Sequence, residues 1–374
     1  MKSPPPITLF LSFSGQGGVE RMLLNLAEGL CGLYRPVEIL AVKTRSRFLE
    51  SGKTSVPVRS LGVNHTLQSI PRLALYLRKV RPESLLAAKD RANQAAIMAR
   101  ALAKTPTRIV FRLGTTTSAA IAHKSRVHKA AWSFPMRFFY PRADAVVAVS
   151  RGVAEDLQQI LGQPLPSIVV IPNPVITPRL YEQAEQPADH PWFRHAGPPV
   201  IVGMGRLTRQ KDFPTLLRAF QKVHEALRCR MVLLGDGSHR SALETLAHRL
   251  GVAEDVSFAG FVPNPYPYLK RASVFVLSSI WEGSPNALTE AMALGTPVVA
   301  TDCPSGPREM LQDGEVAPLV PMKDPEAMAK AILRVLENPP DPERLREAVA
   351  DYTVDKSARR YLDVLLGRHS THQG

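Results

Sequence analysis

Apolar residues recur along the first half of the chain in two alternating rhythms. Short, nearly unbroken apolar runs at Ile7 to Ser14, Val37 to Val42, Ser84 to Ala88, Arg108 to Phe111, Ala145 to Val149 and Ile168 to Ile171 predict strands. Between them the spacing turns helical. Val19, Met22, Leu23, Leu26 and Leu30 fall on one helix face, and Arg72 to Val80 and Gln94 to Ala103 follow the same period. Strands without polar alternation, interspersed with amphipathic helices, imply a parallel sheet covered on both faces.

The rhythm stops near Ile171. Pro172, Pro174, Pro178, Pro187, Pro191, Pro198 and Pro199 then crowd a stretch expected to lack regular structure, which places a domain boundary there. Beyond it a second series predicts strands at Val200 to Gly203, Arg230 to Leu234, Val256 to Ala259, Val274 to Ser278 and Pro297 to Ala300. Helices are expected at Phe213 to Leu227, Arg240 to Leu250 and Asn286 to Leu294, then near Pro307, Pro325 and Pro342. The expected architecture is α/β: two Rossmann-like, doubly wound parallel-sheet domains, residues 1–176 and 177–350, facing each other across a cleft. Residues 351–374 carry a last helix, Lys356 to Leu366, expected to pack back on the first domain.

Length agrees with that division, since 374 residues at roughly 150 per domain suggest two to three domains. Cys31, Cys229 and Cys303 have the spacing of neither a zinc site nor a disulfide framework, which points to a reducing compartment. No stretch of about 18 residues stays apolar and uncharged, and the first residues lack the apolar core of a secretory leader. A cytoplasmic protein is expected, with any membrane contact peripheral, at the inner face of the cell membrane.

Charge changes the picture. The formal net charge is +14, yet residues 1–176 hold 24 Lys and Arg against 9 Asp and Glu, while residues 177–374 hold 23 against 24. From Arg91 to Ala143 there are ten basic residues and no acidic one. Only the first half is therefore expected to meet an anionic partner.

Three segments carry candidate chemistry. Ser14-Gly15-Gln16-Gly17-Gly18-Val19-Glu20-Arg21 lies where the first strand turns into the first helix, a place where backbone amides can meet an anion; a tight turn needs glycine there for steric reasons as well. The dinucleotide fingerprint G-x-G-x-x-G fails, because Glu20 and Thr208 stand where its third glycine is required. Gly203-Met204-Gly205-Arg206 leads from a strand into a turn, with Lys211 five residues after Arg206; the pair reads as a solvated basic loop or as two cations for a diphosphate. Glu282 closes a loop after a strand, and Glu290 lies in an otherwise small, apolar helix, where a buried carboxylate needs polar partners such as ligand hydroxyls.

Together, the glycine turn with Arg206 and Lys211, the glutamates Glu282 and Glu290 with seven residues between them, and Gly295-Thr296-Pro297-Val298-Val299 resemble glycosyltransferase family 4, retaining enzymes of the GT-B fold. The likeness is strong from Val200 to Val320 and rests on pattern and the glycine loop over residues 7–176. The segment Thr301 to Glu309 is similar to bacterial members that build surface polysaccharides, lipopolysaccharide among them. The resemblance implies that Arg206 and Lys211 bind the diphosphate of a nucleotide-sugar donor and stabilise its charge as it leaves, with no metal or other cofactor. It implies Glu290 on the ribose hydroxyls and Glu282 on the donor sugar. Gly205, Ser284, Pro285 and the amides of Asn286, Ala287 and Leu288 would line the phosphates or sugar, Val262 would meet the base, and Gly17 and Gly18 would close on the diphosphate. UDP is the expected nucleotide, as the commonest in the family. Many members carry a histidine at the end of the strand that here reads Arg108 to Gly114; this chain has Arg112 there, and His123 follows. Either could face the reacting carbon, or serve packing or the surface.

From His123 to Arg142 the chain interleaves Lys124, Arg126, Lys129 and Arg137 with Trp132, Phe134, Phe138, Phe139 and Tyr140. That composition suits an anionic lipid surface or single-stranded nucleic acid, and it also suits a core segment with inward aromatics. No nucleic-acid motif accompanies it, so lipid is the expected partner. The main expectation is a retaining hexosyl- or N-acetylhexosaminyl-transferase acting on a saccharide or lipid-linked saccharide. The alternatives are a sugar-nucleotide epimerase on the same scaffold and a non-catalytic binder of anionic surfaces.

Overall fold

A computed structural model describes residues 4–13, 18–33, 36–44, 56–165 and 167–368. The chain divides into two compact units, Met1–Val175 with Tyr352–Gly374, and Ile176–Asp351. The first is built on a seven-stranded sheet of β1 (Ile7–Phe13), β2 (Val37–Thr44), β3 (Val58–Ser60), β4 (Ser84–Ala88), β5 (Arg108–Leu113), β6 (Ala145–Ala148) and β7 (Ile168–Val170). Its order is β3-β2-β1-β4-β5-β6-β7, with every pairing parallel. Ile7 stands opposite both Val37 and Ser84, so β1 is central and the order reverses between β1 and β4.

Every residue of β4 and β6 is buried, the signature of a parallel sheet packed on both sides. Side chains alternate across it as the pleat requires: Phe10 joins one core with Leu40, Leu73 and Tyr140, while Ile7, Leu9 and Leu11 join the other with Leu23, Leu26 and Val110. The second core also contains Ala358, Tyr361, Val364 and Leu365 of the last helix, Val354–Leu365. That helix starts at Thr353, whose side chain accepts from the Lys356 amide, and is tied down by Ser357 Oγ donating to Pro172 O at 3.0 Å. It lies so close to the helix Gly18–Gly32 that a Cβ on Gly29 would sit 2.6 Å from Val354 Cγ1 and 2.9 Å from Ala358 Cβ.

The second unit carries β8 (Val200–Met204), β9 (Arg230–Leu234), β10 (Val256–Gly260), β11 (Val274–Leu277), β12 (Val298–Thr301) and β13 (Leu319–Val320). The order is β10-β9-β8-β11-β12-β13, again parallel throughout, and it reverses between β8 and β11. The proline-rich stretch is more regular than its composition suggests. Pro178 occupies the first turn of a short helix, Pro178–Ala184, whose N-cap Thr177 accepts from the Leu180 amide. Proline is favoured there because that amide has no intrahelical partner to lose. The rest of the stretch braces the second unit: Tyr268 Oη donates to Asp189 O at 2.9 Å, and Phe193 meets Tyr268 edge to face.

Among the described residues no helix is long and apolar enough to cross a membrane. Gly29→Val is expected to lower unfolding stability by about 1–3 kcal/mol, because the helix Val354–Leu365 must move away. Gly32→Ala, where a Cβ meets nothing within 4 Å, is the matched control and should stay within about 0.5 kcal/mol; chemical denaturation measures both.

Candidate active site

In a doubly wound sheet, ligands bind outside the carboxyl ends of the strands where the order reverses, and in the second unit that place lies between β8 and β11. Glycine lets the loops close up there. A Cβ on Gly205 would meet the Lys211 stem at 2.9 Å, one on Gly235 would lie 2.0 Å from Gly205 O, and one on Gly237 would lie 2.4 Å from Leu207 O. The loops after β8 and β9 therefore stack backbone on backbone. The Leu207 amide donates to Asp236 O at 3.0 Å and the His239 amide to Leu207 O at 3.0 Å.

The loop after β8 is laced equally to the loop after β11. The Ile280 amide donates to Gln210 O at 2.9 Å, Gln210 Nε2 donates to Trp281 O at 2.9 Å, and Ser278 Oγ donates to Lys211 O at 2.6 Å. At the centre Lys211 Nζ donates to Glu282 Oε1 at 2.6 Å, and Ser279 Oγ donates to the same oxygen at 2.7 Å. Both ends of this ion pair are largely withdrawn from water, with side-chain exposures of 17% for Lys211 and 8% for Glu282. Arg206, in the same loop, is exposed. Cys303 is buried beside the pair; burial, then the Glu282 charge, push its thiol up to about 12.

Glu290 is buried in the helix Asn286–Ala293. That helix begins at Pro285 without a side-chain cap, and the loop before it is fastened from the next strand's loop by Ser305 Oγ donating to Gly283 O at 3.1 Å. Gly306 presses on it: a Cβ there would lie 2.6 Å from Pro285 Cδ. Of the three amides singled out, that of Leu288 is already engaged, donating to Pro285 O at 3.0 Å. Ser284 and Pro285 are buried, while Asn286 and Ala287 are half-buried. Val262 is half-buried just beyond β10.

Arg206, Lys211, Glu282 and the helix carrying Glu290 thus belong to one carboxyl edge of one sheet. Gly235, Gly237, Ser278 and Ser279 complete the edge without standing out in the sequence as site residues, together with Ser305 and Gly306 of the segment Thr301 to Glu309. The run Gly235-Asp236-Gly237 directly after a strand was a legible signal for two of them.

In the first unit Gly17 lies outside the described residues and Gly18 opens the helix Gly18–Gly32. Arg112 is fully buried, with its guanidinium donating to Asn173 Oδ1 at 2.7 Å and lying against Tyr361; burial holds it below the usual arginine range, which Tyr361 partly offsets. It joins β5, the strand-end loop at Asn173 and the last helix. His123 is exposed, in the turn before the helix Arg126–Phe139. After β4, Asp90 accepts from Tyr140 Oη at 2.6 Å, and burial raises its carboxyl.

The helix Arg126–Phe139 buries one side chain, Met136. Val127, Trp132, Phe134 and Phe138 are exposed at 77, 46, 72 and 46%, whereas Phe139 packs against the core and Tyr140, just beyond the helix, is part of it. Lys124, Arg126, Arg137 and Arg142 are exposed around them. Among the described residues no group of three or more His, Cys, Asp and Glu could hold a metal ion.

Two family models match in tandem: "Glycosyltransferase Family 4" over residues 16–179 and "Glycosyl transferases group 1" over residues 198–338. An N-acetylgalactosamine-N,N'-diacetylbacillosaminyl-diphospho-undecaprenol 4-alpha-N-acetylgalactosaminyltransferase from Campylobacter jejuni is 28% identical over 96% of this chain and 99% of its own. LpsE, a lipopolysaccharide core biosynthesis glycosyltransferase from Rhizobium meliloti, is 28% identical over 95% of this chain and 98% of its own. A glycosyltransferase of uncharacterised role from Methanocaldococcus jannaschii is 27% identical over 63% of this chain, which spans 59% of that relative. Among solved structures, HepE from Anabaena in complex with UDP superposes with a TM-score of 0.77 at 19% identity, over 97% of this chain and 100% of that one.

Gly235→Ala should cost more stability than Gly251→Ala by at least about 1 kcal/mol. Both glycines have positive φ, +133° and +72°, but a Cβ at Gly251 meets nothing within 4 Å. Paired denaturation curves decide it, and equal losses would mean that the β8 and β9 loops are not packed as described.

Proposed function

Because the chain is a glycosyltransferase of the GT-B fold, we propose that it is a retaining, metal-independent enzyme moving a sugar from a UDP-sugar to a saccharide or lipid-linked saccharide acceptor. The setting is bacterial surface-polysaccharide assembly, supported by the Rhizobium relative named for lipopolysaccharide core biosynthesis, while the Campylobacter relative is named for a diphospho-undecaprenol-linked acceptor. HepE, the structural neighbour, was crystallised with UDP.

The observation that carries this reading is the Lys211–Glu282 pair at the point where the second sheet reverses order, with the exposed Arg206 in the same loop as Lys211. Negative charge grows on the diphosphate as the bond to the sugar breaks, and fixed cations at that position stabilise the transition state more than the ground state. Arg206 offers a forked donor and Lys211 a point charge. Glu290 takes the ribose hydroxyls, and Glu282 takes hydroxyls of the donor sugar. Gly205, Ser284, Pro285 and the amides of Asn286 and Ala287 border the phosphates and sugar, and Val262 borders the base. Hydroxyls satisfy the buried carboxylates without adding net charge.

The helix Arg126–Phe139 is the membrane contact in this reading. A helix that turns Trp132, Phe134 and Phe138 outward among arginines and lysines fits the interface of an anionic leaflet, where a lipid-linked acceptor resides.

Three outcomes test the proposal. Arg206→Ala combined with Lys211→Ala should abolish transfer in a chain that still folds, with a lower melting temperature because Glu282 loses its partner, and Glu290→Ala should weaken UDP binding by at least about tenfold; full activity in either variant removes the site. Transfer should continue in EDTA, and NMR of the product should find the donor's anomeric configuration kept, whereas inversion would overturn the mechanism. Vesicles rich in anionic lipid should co-sediment the protein at low salt, and Trp132→Ala with Phe134→Ala should reduce the bound fraction at least about tenfold.

A further inference from the structure

Lys211 is already occupied. Its ammonium is 2.6 Å from Glu282 Oε1 in a pair largely shielded from solvent, and Ser279 Oγ holds the same oxygen at 2.7 Å. The lysine main chain is pinned as well, through Ser278 Oγ on Lys211 O. The β8 loop thus presents a neutral pair together with the exposed Arg206, rather than two available cations. A diphosphate approaching Lys211 meets the Glu282 carboxylate directly behind the ammonium, and like charges that close repel strongly where water is scarce.

We propose that Glu282 competes with the diphosphate for Lys211, so that the Lys211–Glu282 pair is the resting state of the site and displaces the nucleoside diphosphate after transfer. The inference rests on the reading of this edge as the donor site. A sugar-bearing donor brings hydroxyls that hydrogen-bond the Glu282 carboxylate in place of the ammonium, which frees Lys211 for the phosphates. Once the sugar has passed to the acceptor those hydroxyls are gone. Glu282 then regains Lys211, and the product loses a cation. Glu282 thereby separates donor from product: it favours a nucleotide that carries a sugar and disfavours one that has lost it.

Glu282→Gln keeps the shape and the Ser279 hydrogen bond but removes the competing charge. Calorimetric titration with UDP and with inorganic pyrophosphate should find both bound at least about tenfold more tightly by Glu282→Gln than by the parent chain, and UDP should become a correspondingly stronger inhibitor of any remaining transfer. In a Lys211→Gln background the same substitution should improve affinity by a clearly smaller factor, because the competition has no object there and only the direct repulsion between Glu282 and the phosphates is relieved. Pyrophosphate carries no nucleoside, so tighter pyrophosphate binding without UDP binding would uphold the competition while removing the nucleotide reading. Unchanged or weaker binding of both probes by Glu282→Gln would overturn the proposal, as would absence of binding to either chain.

Discussion

The reversal of strand order between β8 and β11 is the constraint on which the candidate site depends. Neighbouring strands whose following chain segments run in opposite directions leave an uncovered crevice at the carboxyl edge, and the loops carrying Arg206, Lys211 and Glu282 follow the two strands that flank it. Gly205, Gly235 and Gly237 bring the two loops on one side of it into backbone contact. Ser278 and Gln210 stitch the β8 loop to the β11 loop across it. The result is one rigid edge on which Lys211 and Glu282 can be held together out of water at a cost that hydrogen bonds from Ser279 and the surrounding loops offset.

The first unit has the same reversal, between β1 and β4, but different surroundings. Part of its basic excess is paired internally, Arg59 with Glu38 and Arg100 with Asp144, but Lys124, Arg126, Arg137 and Arg142 lie on the surface beside outward-facing aromatics, and Arg142 stacks over Phe138 at 3.7 Å. One further arginine is buried. Arg112 donates to Asn173 and lies against Tyr361, and it fastens the returning helix to the sheet.

Much of this was legible in the sequence, for physical reasons that can be named. Fully buried strands such as β4 and β11 write themselves as unbroken apolar runs, and the helices between them as 3.6-residue periods. Lys211 and Glu282 could be picked out because charged residues at strand ends are rarely idle. That they bind each other could not be read, since pairing depends on where two loops 71 residues apart meet in space. The prolines misled for a related reason: Pro178 breaks a helix interior but favours a helix start, and only the chain's path decides which position it occupies. The aromatics of Trp132 to Phe138 belonged equally to core and surface until their burial was known.

A crystal structure of the full chain with an intact UDP-sugar would test this most directly. The diphosphate is expected against Lys211 and Arg206, the ribose on Glu290 and the sugar hydroxyls on Glu282, with the Lys211 ammonium drawn away from its 2.6 Å contact with Glu282. The UDP-sugar bound elsewhere, or bound at this edge with the Lys211–Glu282 pair intact and no phosphate contact to Lys211, would contradict it.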